Sequence, residues 1–477
     1  MTCQVCGSDE EVDGRCGECG IVTGFVPTRK LLLISDLAAT GFGRVGRELA
    51  TGLLARGWDV KIIGINWRGV DGELTASIKP GDIQSQADSI ERRLAELRAD
   101  PLVDRIMPAS AGGDGMGHNF TAPAMRGELW PDWKPDAAII VADPRAMWLR
   151  LVRDNGSLAK AREEGVPVLN YVPIEGTGLP RDWATIWRIV RPVAMSTFGQ
   201  AQIEALMGEP VALAHHGVST PFYQIDAAHP GTWRGKTVLS KAGAKEALGF
   251  GGRTVILRTD RYIYRKNYPA FFRAMRPVLA AHPEAISVIH TVPVDDTGQG
   301  NIWQLISREP GARPGGITRT GDMAWEHPQI RLTGWHDSWQ GLTDAEMNVL
   351  YNAADLLVSP TMAEGFGLTL AEALATGLPV VATDYSAIPE VVGPGGVLIP
   401  ITGTITNAYA HEWGLVDEPA MSAAVERLVT KPALRRSLGA AGRRHVARFS
   451  WSQACDTFDL LLRSQGQSVA RQEISVG

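Results

Sequence analysis

Residues 359–383 read Ser-Pro-Thr-Met-Ala-Glu-Gly-Phe-Gly-Leu-Thr-Leu-Ala-Glu-Ala-Leu-Ala-Thr-Gly-Leu-Pro-Val-Val-Ala-Thr, and they hold two carboxylates, Glu364 and Glu372, around a glycine-rich turn. The turn opens onto a helical pattern, so the amides of residues 365–368 face outward at the positive end of a helix dipole. That arrangement cradles phosphate. Glu364 belongs to the loop and Glu372 lies about one turn into the helix, so both carboxylates can accept from hydroxyl-bearing parts of one ligand. A nucleotide sugar has that layout. A glutamate pair alone would equally suit a helix start with Glu372 on a solvated face, and the flanks argue against this. Residues 354–359 read as a strand entering the loop, and 378–382 as the next strand, after Gly377 as helix cap. Strand, loop, helix and strand put the loop at the carboxyl ends of the strands, where open α/β sheets bind ligands.

A basic group belongs at the same edge. The strand predicted over 254–259 runs into Thr-Asp-Arg-Tyr-Ile-Tyr-Arg-Lys-Asn, residues 259–267, which puts Arg261 and Lys266 beside the Glu364 loop. Two cations there would neutralise a diphosphate and stabilise charge developing on it. In the N-terminal half, a strand over 30–36 leads through Gly41-Phe42-Gly43 into a helix over 44–56. Val45, Leu49 and Leu53 share one face of that helix, and a second strand covers 59–64. The Gly-x-Gly turn fits a ligand loop or a turn needed only for close packing.

The elements that must position these groups alternate. Further strands read at 137–142, 167–172, 193–196 and 211–215, and a second series at 254–259, 285–291, 330–333, 355–359, 379–383 and 396–400. A glycine-rich stretch at 111–117 is placed to border a cleft. The alternation predicts two parallel sheets covered by helices, with the ligand between them. The expected domains are a cysteine module over 1–25, an acceptor-side domain over 29–222 and a nucleotide-sugar domain over 236–445. A helix over 446–465 and a flexible tail over 466–477 complete the chain.

The formal net charge of -5 over 477 residues gives no overall drive toward nucleic acid or anionic membrane. No apolar run is long enough to span a bilayer, and the aromatic and basic stretch 180–191 is short for a membrane-surface helix. The expected location is the cytoplasm, without stable membrane insertion. Cys3, Cys6, Cys16 and Cys19 form two C-x-x-C-G knuckles. Four thiolates at that spacing suit a tetrahedral structural Zn(II) in a miniature knuckle or ribbon, with a redox dithiol pair as the alternative. The acidic residues between the knuckles, Asp9, Glu10, Glu11 and Asp13, favour docking onto the main body of the chain or onto a protein over gripping phosphate. Cys455 reads as a buried small apolar residue.

With these motifs in place, the chain from about Lys30 to Arg463 resembles the family 4 retaining glycosyltransferases, which have the GT-B fold of two facing Rossmann-like domains. By that resemblance Arg261 and Lys266 sit on the donor diphosphate, Glu364 holds sugar hydroxyls and Glu372 the nucleotide ribose. Gly365, Phe366, Gly367, Leu368 and Thr369 bind the donor through backbone amides, and Gly41, Phe42 and Gly43 form the N-domain loop beneath it. The His216-Gly-Val stretch matches the interdomain linker, and the segment around Trp451 matches the helix that crosses back. Glu175 stands where relatives carry an acceptor-side His or Asp. No catalytic metal is expected. Two departures stand out: Tyr385-Ser386-Ala387 stands where relatives often show glycines, and the cysteine module is added. The acceptor is open among saccharide, lipid-linked intermediate, protein and hydroxymethylated cytosine in DNA. A sugar-nucleotide epimerase of the same fold and a non-catalytic nucleotide-sugar-binding module are the competing readings.

Overall fold

The structure, a computed structural model, describes residues 11–12, 15–16, 29–37, 41–67, 95, 98–109, 118–147, 151–153, 156–293, 301–317, 323–333 and 342–474. The zinc reading at Cys3, Cys6 and Cys19 and the glycine-rich stretch 111–117 lie outside these residues. Of the cysteine module, the structure gives the short antiparallel pairing of Glu11–Val12 with Arg15–Cys16. No cluster of metal-ligating side chains occurs among the described residues.

Two all-parallel sheets carry the molecule. The first contains β1 (Arg29–Asp36), β2 (Trp58–Ile65), β3 (Ile106–Pro108), β4 (Ala137–Val141), β5 (Val168–Val172), β6 (Arg191–Ala194) and β7 (Ala212–Leu213), in the spatial order β3-β2-β1-β4-β5-β6-β7. The second contains β8 (Thr254–Thr259), β9 (Ala285–His290), β10 (Ile330–Leu332), β11 (Leu356–Ser359), β12 (Val380–Thr383) and β13 (Gly396–Ile399), in the order β10-β9-β8-β11-β12-β13. Their central strands are buried on both faces, which is why β4 and β12 read as unbroken apolar runs instead of alternating. In each sheet the strand order reverses between two neighbours, β1 and β4 in the first and β8 and β11 in the second. In open α/β sheets the loops leaving such strands are where ligands bind.

The helices used below are α1 (Gly41–Leu54), α2 (Thr197–Met207), α3 (Tyr268–Ala281), α4 (Asp344–Ala353), α5 (Leu368–Ala375), α6 (Pro432–Val446) and α7 (Trp451–Ile474). After α6 has packed on the second sheet, α7 returns to the first. Trp451, Ala454, Cys455, Phe458 and Leu462 enter the same apolar core as Leu31, Leu33, Leu49 and Leu53. The return is pinned by Trp58 Nε1 donating to Asp459 Oδ1 at 2.7 Å and by Arg56 on Asp456, also 2.7 Å. Cys455 is buried and unpaired, as its sequence setting implies. The short helix Trp183–Trp187 buries both tryptophans and Ile186 in the first half, and is a packed element. No helix among the described residues is long and apolar enough to cross a membrane.

Several short strands were not foreseen from the sequence pattern: Ile106–Pro108, the hairpin Gly231–Trp233 with Lys236–Val238, the hairpin Arg313–Ile317 with Met323–Glu326, and the hairpin that bears on the site. After β13, β14 (Ile401–Thr406) and β15 (Glu412–Val416) form an antiparallel hairpin. Its end reaches the first half, where Glu412 N–H donates to Thr177 O at 3.0 Å and the His411 ring packs on Trp183 with centroids 4.6 Å apart.

Candidate active site

The loops after β8 and β11 meet at the carboxyl edge of the second sheet. Met362 N–H donates to Arg265 O at 2.9 Å, which ties one loop to the other. Beneath them the wholly buried Arg258 pairs with Asp260 at 3.3 Å, donates to the Lys266 carbonyl, and lies 4.8 Å from the Tyr268 ring centre. A guanidinium inside a core is costly unless its donors are used; here the two terminal nitrogens reach Val358 O, Lys266 O and Asp260 and hold the 260–266 turn in shape, while Nε has no partner among the described residues. Asn267, with φ 51°, then caps α3 by accepting from Ala270 N–H.

On this support Lys266 Nζ lies 2.6 Å from Glu364 Oε1 and 2.7 Å from Asp260 Oδ1. Arg265 lies 3.0 Å from Glu364 Oε2 and 2.8 Å from Glu175 Oε1, and donates to Ala363 O. Three predicted residues, Lys266, Glu364 and Glu175, are therefore brought together from three loops. Arg261 is exposed on the same turn, and the guanidinium that faces Glu364 belongs to Arg265. Only one signal in the sequence could have found Arg265: its place directly before Lys266 in a turn of unknown shape.

Burial alone would raise the Glu364 carboxyl, but Lys266 and Arg265 outweigh burial and hold it well below the ordinary carboxylate range. Burial raises Glu175, and the pull of Arg265 opposes it without cancelling it. Glu364 N–H donates to Ser386 Oγ at 2.8 Å. Ser386 has φ 54°, a left-handed conformation that glycine adopts most easily, and its hydroxyl adds a hydrogen bond to the loop.

Glu372 occupies a different setting. It is buried in the first turns of α5, accepts from Tyr351 OH at 2.9 Å, and has Arg44 Nε of α1 at 3.4 Å. Arg44 is shared, because it also makes a two-pronged pair with Asp344 at 2.9 and 2.6 Å. Burial, only partly offset by Arg44, pushes the Glu372 carboxyl up to about 7.

The turn between the two glutamates is close-packed. Gly367, at φ 103°, turns the chain into α5, and a side chain at Gly365 would run into Pro173 of the first half. Phe366 points inward, its ring among His216 and Phe449, so only its backbone can serve a ligand. Gly41 faces Leu368, and a Cβ there would lie 3.6 Å from Leu368 Cδ1. His216 itself is buried between Phe366 and Trp451, and burial pushes its imidazole down to about 3, so it is a neutral packing ring at the linker.

Residues 311–429 match the family described as Glycosyl transferases group 1. The D-inositol 3-phosphate glycosyltransferase of Segniliparus rotundus is 31% identical over 146 residues, 31% of this chain and 28% of that protein. The MMP alpha-(1->4)-mannosyltransferase of Mycolicibacterium hassiacum is 35% identical over 137 residues, covering 28% and 27%. The D-inositol 3-phosphate glycosyltransferase of Streptomyces griseus subsp. griseus is 30% identical over 257 residues, covering 51% and 46%. The similarity thus spans 46% or less of the length of these curated relatives. Among solved structures, sucrose-phosphate synthase from Thermosynechococcus elongatus superposes with TM-score 0.61 at 17% identity, covering 92% of this chain and all of that one. Anabaena Alr3699/HepE, solved with UDP and glucose, gives TM-score 0.60 at 13% identity, covering 91% and 100%. The likeness to these structures is one of fold: a GT-B-like pair of parallel-sheet halves.

Proposed function

We propose that this chain is a retaining glycosyltransferase that moves a sugar from a nucleoside diphosphate sugar to an acceptor hydroxyl. The observation that carries the reading is the Lys266–Glu364 pair, 2.6 Å apart at the reversal point of the second sheet and beside the amino end of α5. The Glycosyl transferases group 1 match over 311–429, which contains both glutamates, supports it.

The chemistry follows from where charge must go. Breaking the bond between the anomeric carbon and the phosphate oxygen sends the electron pair to the diphosphate and leaves positive charge on the sugar. Lys266, held between Glu364 and Asp260, supplies a cation fixed before the reaction for the leaving oxygens, and the same turn carries Arg261. Glu364 keeps unused acceptor positions on both oxygens for sugar hydroxyls, since an ionised carboxylate offers about four lone pairs. The acceptor hydroxyl attacks the face the diphosphate leaves, and its proton passes to the departing phosphate oxygen, so configuration is retained. Glu175, reached through Arg265 from the opposite half, is the acceptor-side group.

The direct test incubates the full chain with UDP-, GDP- and ADP-sugars, with saccharide acceptors or with DNA bearing hydroxymethylcytosine. Released nucleotide and products are identified by mass spectrometry and anomeric proton NMR. A hexose mass on an acceptor with donor configuration kept supports the reading. An isomerised donor without acceptor points to an epimerase, and no turnover of any donor it binds points to a binding module.

A further inference from the structure

The geometry points to Arg44 as the positioning residue of the nucleotide site: a side chain of the first half that supplies the counter-charge for Glu372 and aims it at the donor's ribose. The inference rests on the reading of Glu372 as the ribose-binding carboxylate. It adds that the capacity to hold ribose is lent by the opposite half, so nucleotide binding is tied to the apposition of the two sheets.

The arrangement around Glu372 is asymmetric. Its Oε2 is taken by Tyr351 OH from α4, and the cation beside Oε1 is Arg44 Nε from α1. Arg44 does not swing freely. Its two terminal nitrogens are held by Asp344 in the first turn of α4, where the helix dipole favours a carboxylate, and its guanidinium lies 4.9 Å from the Phe222 ring centre. The remaining groups facing the cluster are Glu48, one turn further along α1 and raised by burial, and Thr259 at the end of β8, 3.4 Å from Tyr351 OH. One guanidinium therefore serves two carboxylates directly.

A ribose offers two hydroxyl donors, which an ionised carboxylate accepts together and a protonated one does not. Burial pushes Glu372 up to about 7, so at neutral pH the Arg44 charge decides how much of it is ionised. Removing Arg44 raises Glu372 further and weakens ribose binding at neutral pH, and higher pH restores it. Removing the competing Asp344 charge acts in the opposite direction.

The test uses the full chain and titration calorimetry with UDP, GDP and ADP. The nucleotide that binds is then compared with its 2′,3′-dideoxy analogue from pH 6 to 9. Arg44→Met is expected to weaken the parent nucleotide about tenfold at pH 7, to change the dideoxy analogue less than about twofold, and to close the gap by pH 9. Arg44→Lys keeps part of the affinity, and Asp344→Asn tightens parent binding at pH 6. Thermal melts of each variant verify folding. Equal weakening of parent and dideoxy nucleotide at every pH by Arg44→Met would reduce Arg44 to a structural clasp and overturn the inference. A wild-type chain that binds both nucleotides equally would instead overturn the ribose reading of Glu372, and the inference with it.

Discussion

Glu364 and Glu372 belong to one motif and are buried alike, 7% and 6% exposed, yet Glu364 faces two cations while Glu372 shares one. Lys266 lies on the turn after β8 and is set against Glu364 by the same half, whatever the other half does. Glu372 receives Arg44 from the first half. Burial costs both carboxylates; the source of the compensating charge separates them. The first is kept ionised by Lys266 and Arg265, as its proposed role of accepting from sugar hydroxyls requires. The second takes its counter-charge, Arg44, from the other half, which suits the proposed contact with a part of the donor that does not react.

The largest expected effect lies on the Glu364 side. Lys266→Met removes the pre-set cation, and kcat/KM should fall by about 10²–10³, mostly in kcat. Glu372→Gln should instead raise the donor KM by about tenfold with kcat within a few-fold. Steady-state kinetics of both variants would break the comparison if the two profiles were the same.

Next comes the support under Lys266. Arg258→Met leaves Asp260 buried with one partner fewer and releases the Lys266 carbonyl, at a cost of about 3 kcal/mol in urea unfolding. The matching substitution under Glu372, Tyr351→Phe, removes one hydroxyl and should cost nearer 1 kcal/mol.

The two carboxylates should also leave opposite marks on stability against pH. Glu372 rises from 4.5 to about 7 on folding, so the folded chain holds more protons over that interval. Its contribution is full below about pH 4.5 and is lost as pH climbs through 7. Glu364 is lowered on folding, so its contribution is full above about pH 4.5 and is lost as pH falls toward its folded value. Glu372→Gln should therefore flatten the decline between pH 5 and 8, by about 2 kcal/mol, and leave the acid limb unchanged. Urea titrations across pH that lose the acid limb instead would reverse the assignment.

The repeating strands and the Glu364–Glu372 helix were legible because buried parallel strands are continuous apolar runs, and because Gly367 and Gly377 punctuate α5. Lys266 was legible for the same reason: its strand fixed the edge. Arg265 was not, because which of two neighbouring cations faces inward depends on the turn that Arg258 holds from below. Arg44, Asp344 and Tyr351 were not, because they converge on Glu372 from other helices, α1 and α4, and no local pattern encodes such contacts, Arg44 and Asp344 lying 300 positions apart and Tyr351 and Glu372 lying 21 apart. The same holds for Glu390, which caps α2 by accepting from Thr197 N–H at 2.9 Å across the halves.

Tyr385 gives the smallest and most local test. In the sequence it stands as an unexplained departure from glycine beside Ser386. In the fold its hydroxyl donates to Glu412 O at 2.8 Å and lies 3.0 Å from Thr177 Oγ1, so it fastens the β14–β15 hairpin to the loop that carries Glu175. Tyr385→Phe removes the hydroxyl and keeps the ring, and should cost about 1 kcal/mol in global stability. Faster hydrogen exchange should appear at Thr177 and Glu412 and be absent at Glu364, whose N–H is held by Ser386 instead. Exchange that quickened equally at Glu364 would mean that the donor loop leans on the hairpin, and that the charge pre-set at Glu364 depends on the opposite half after all.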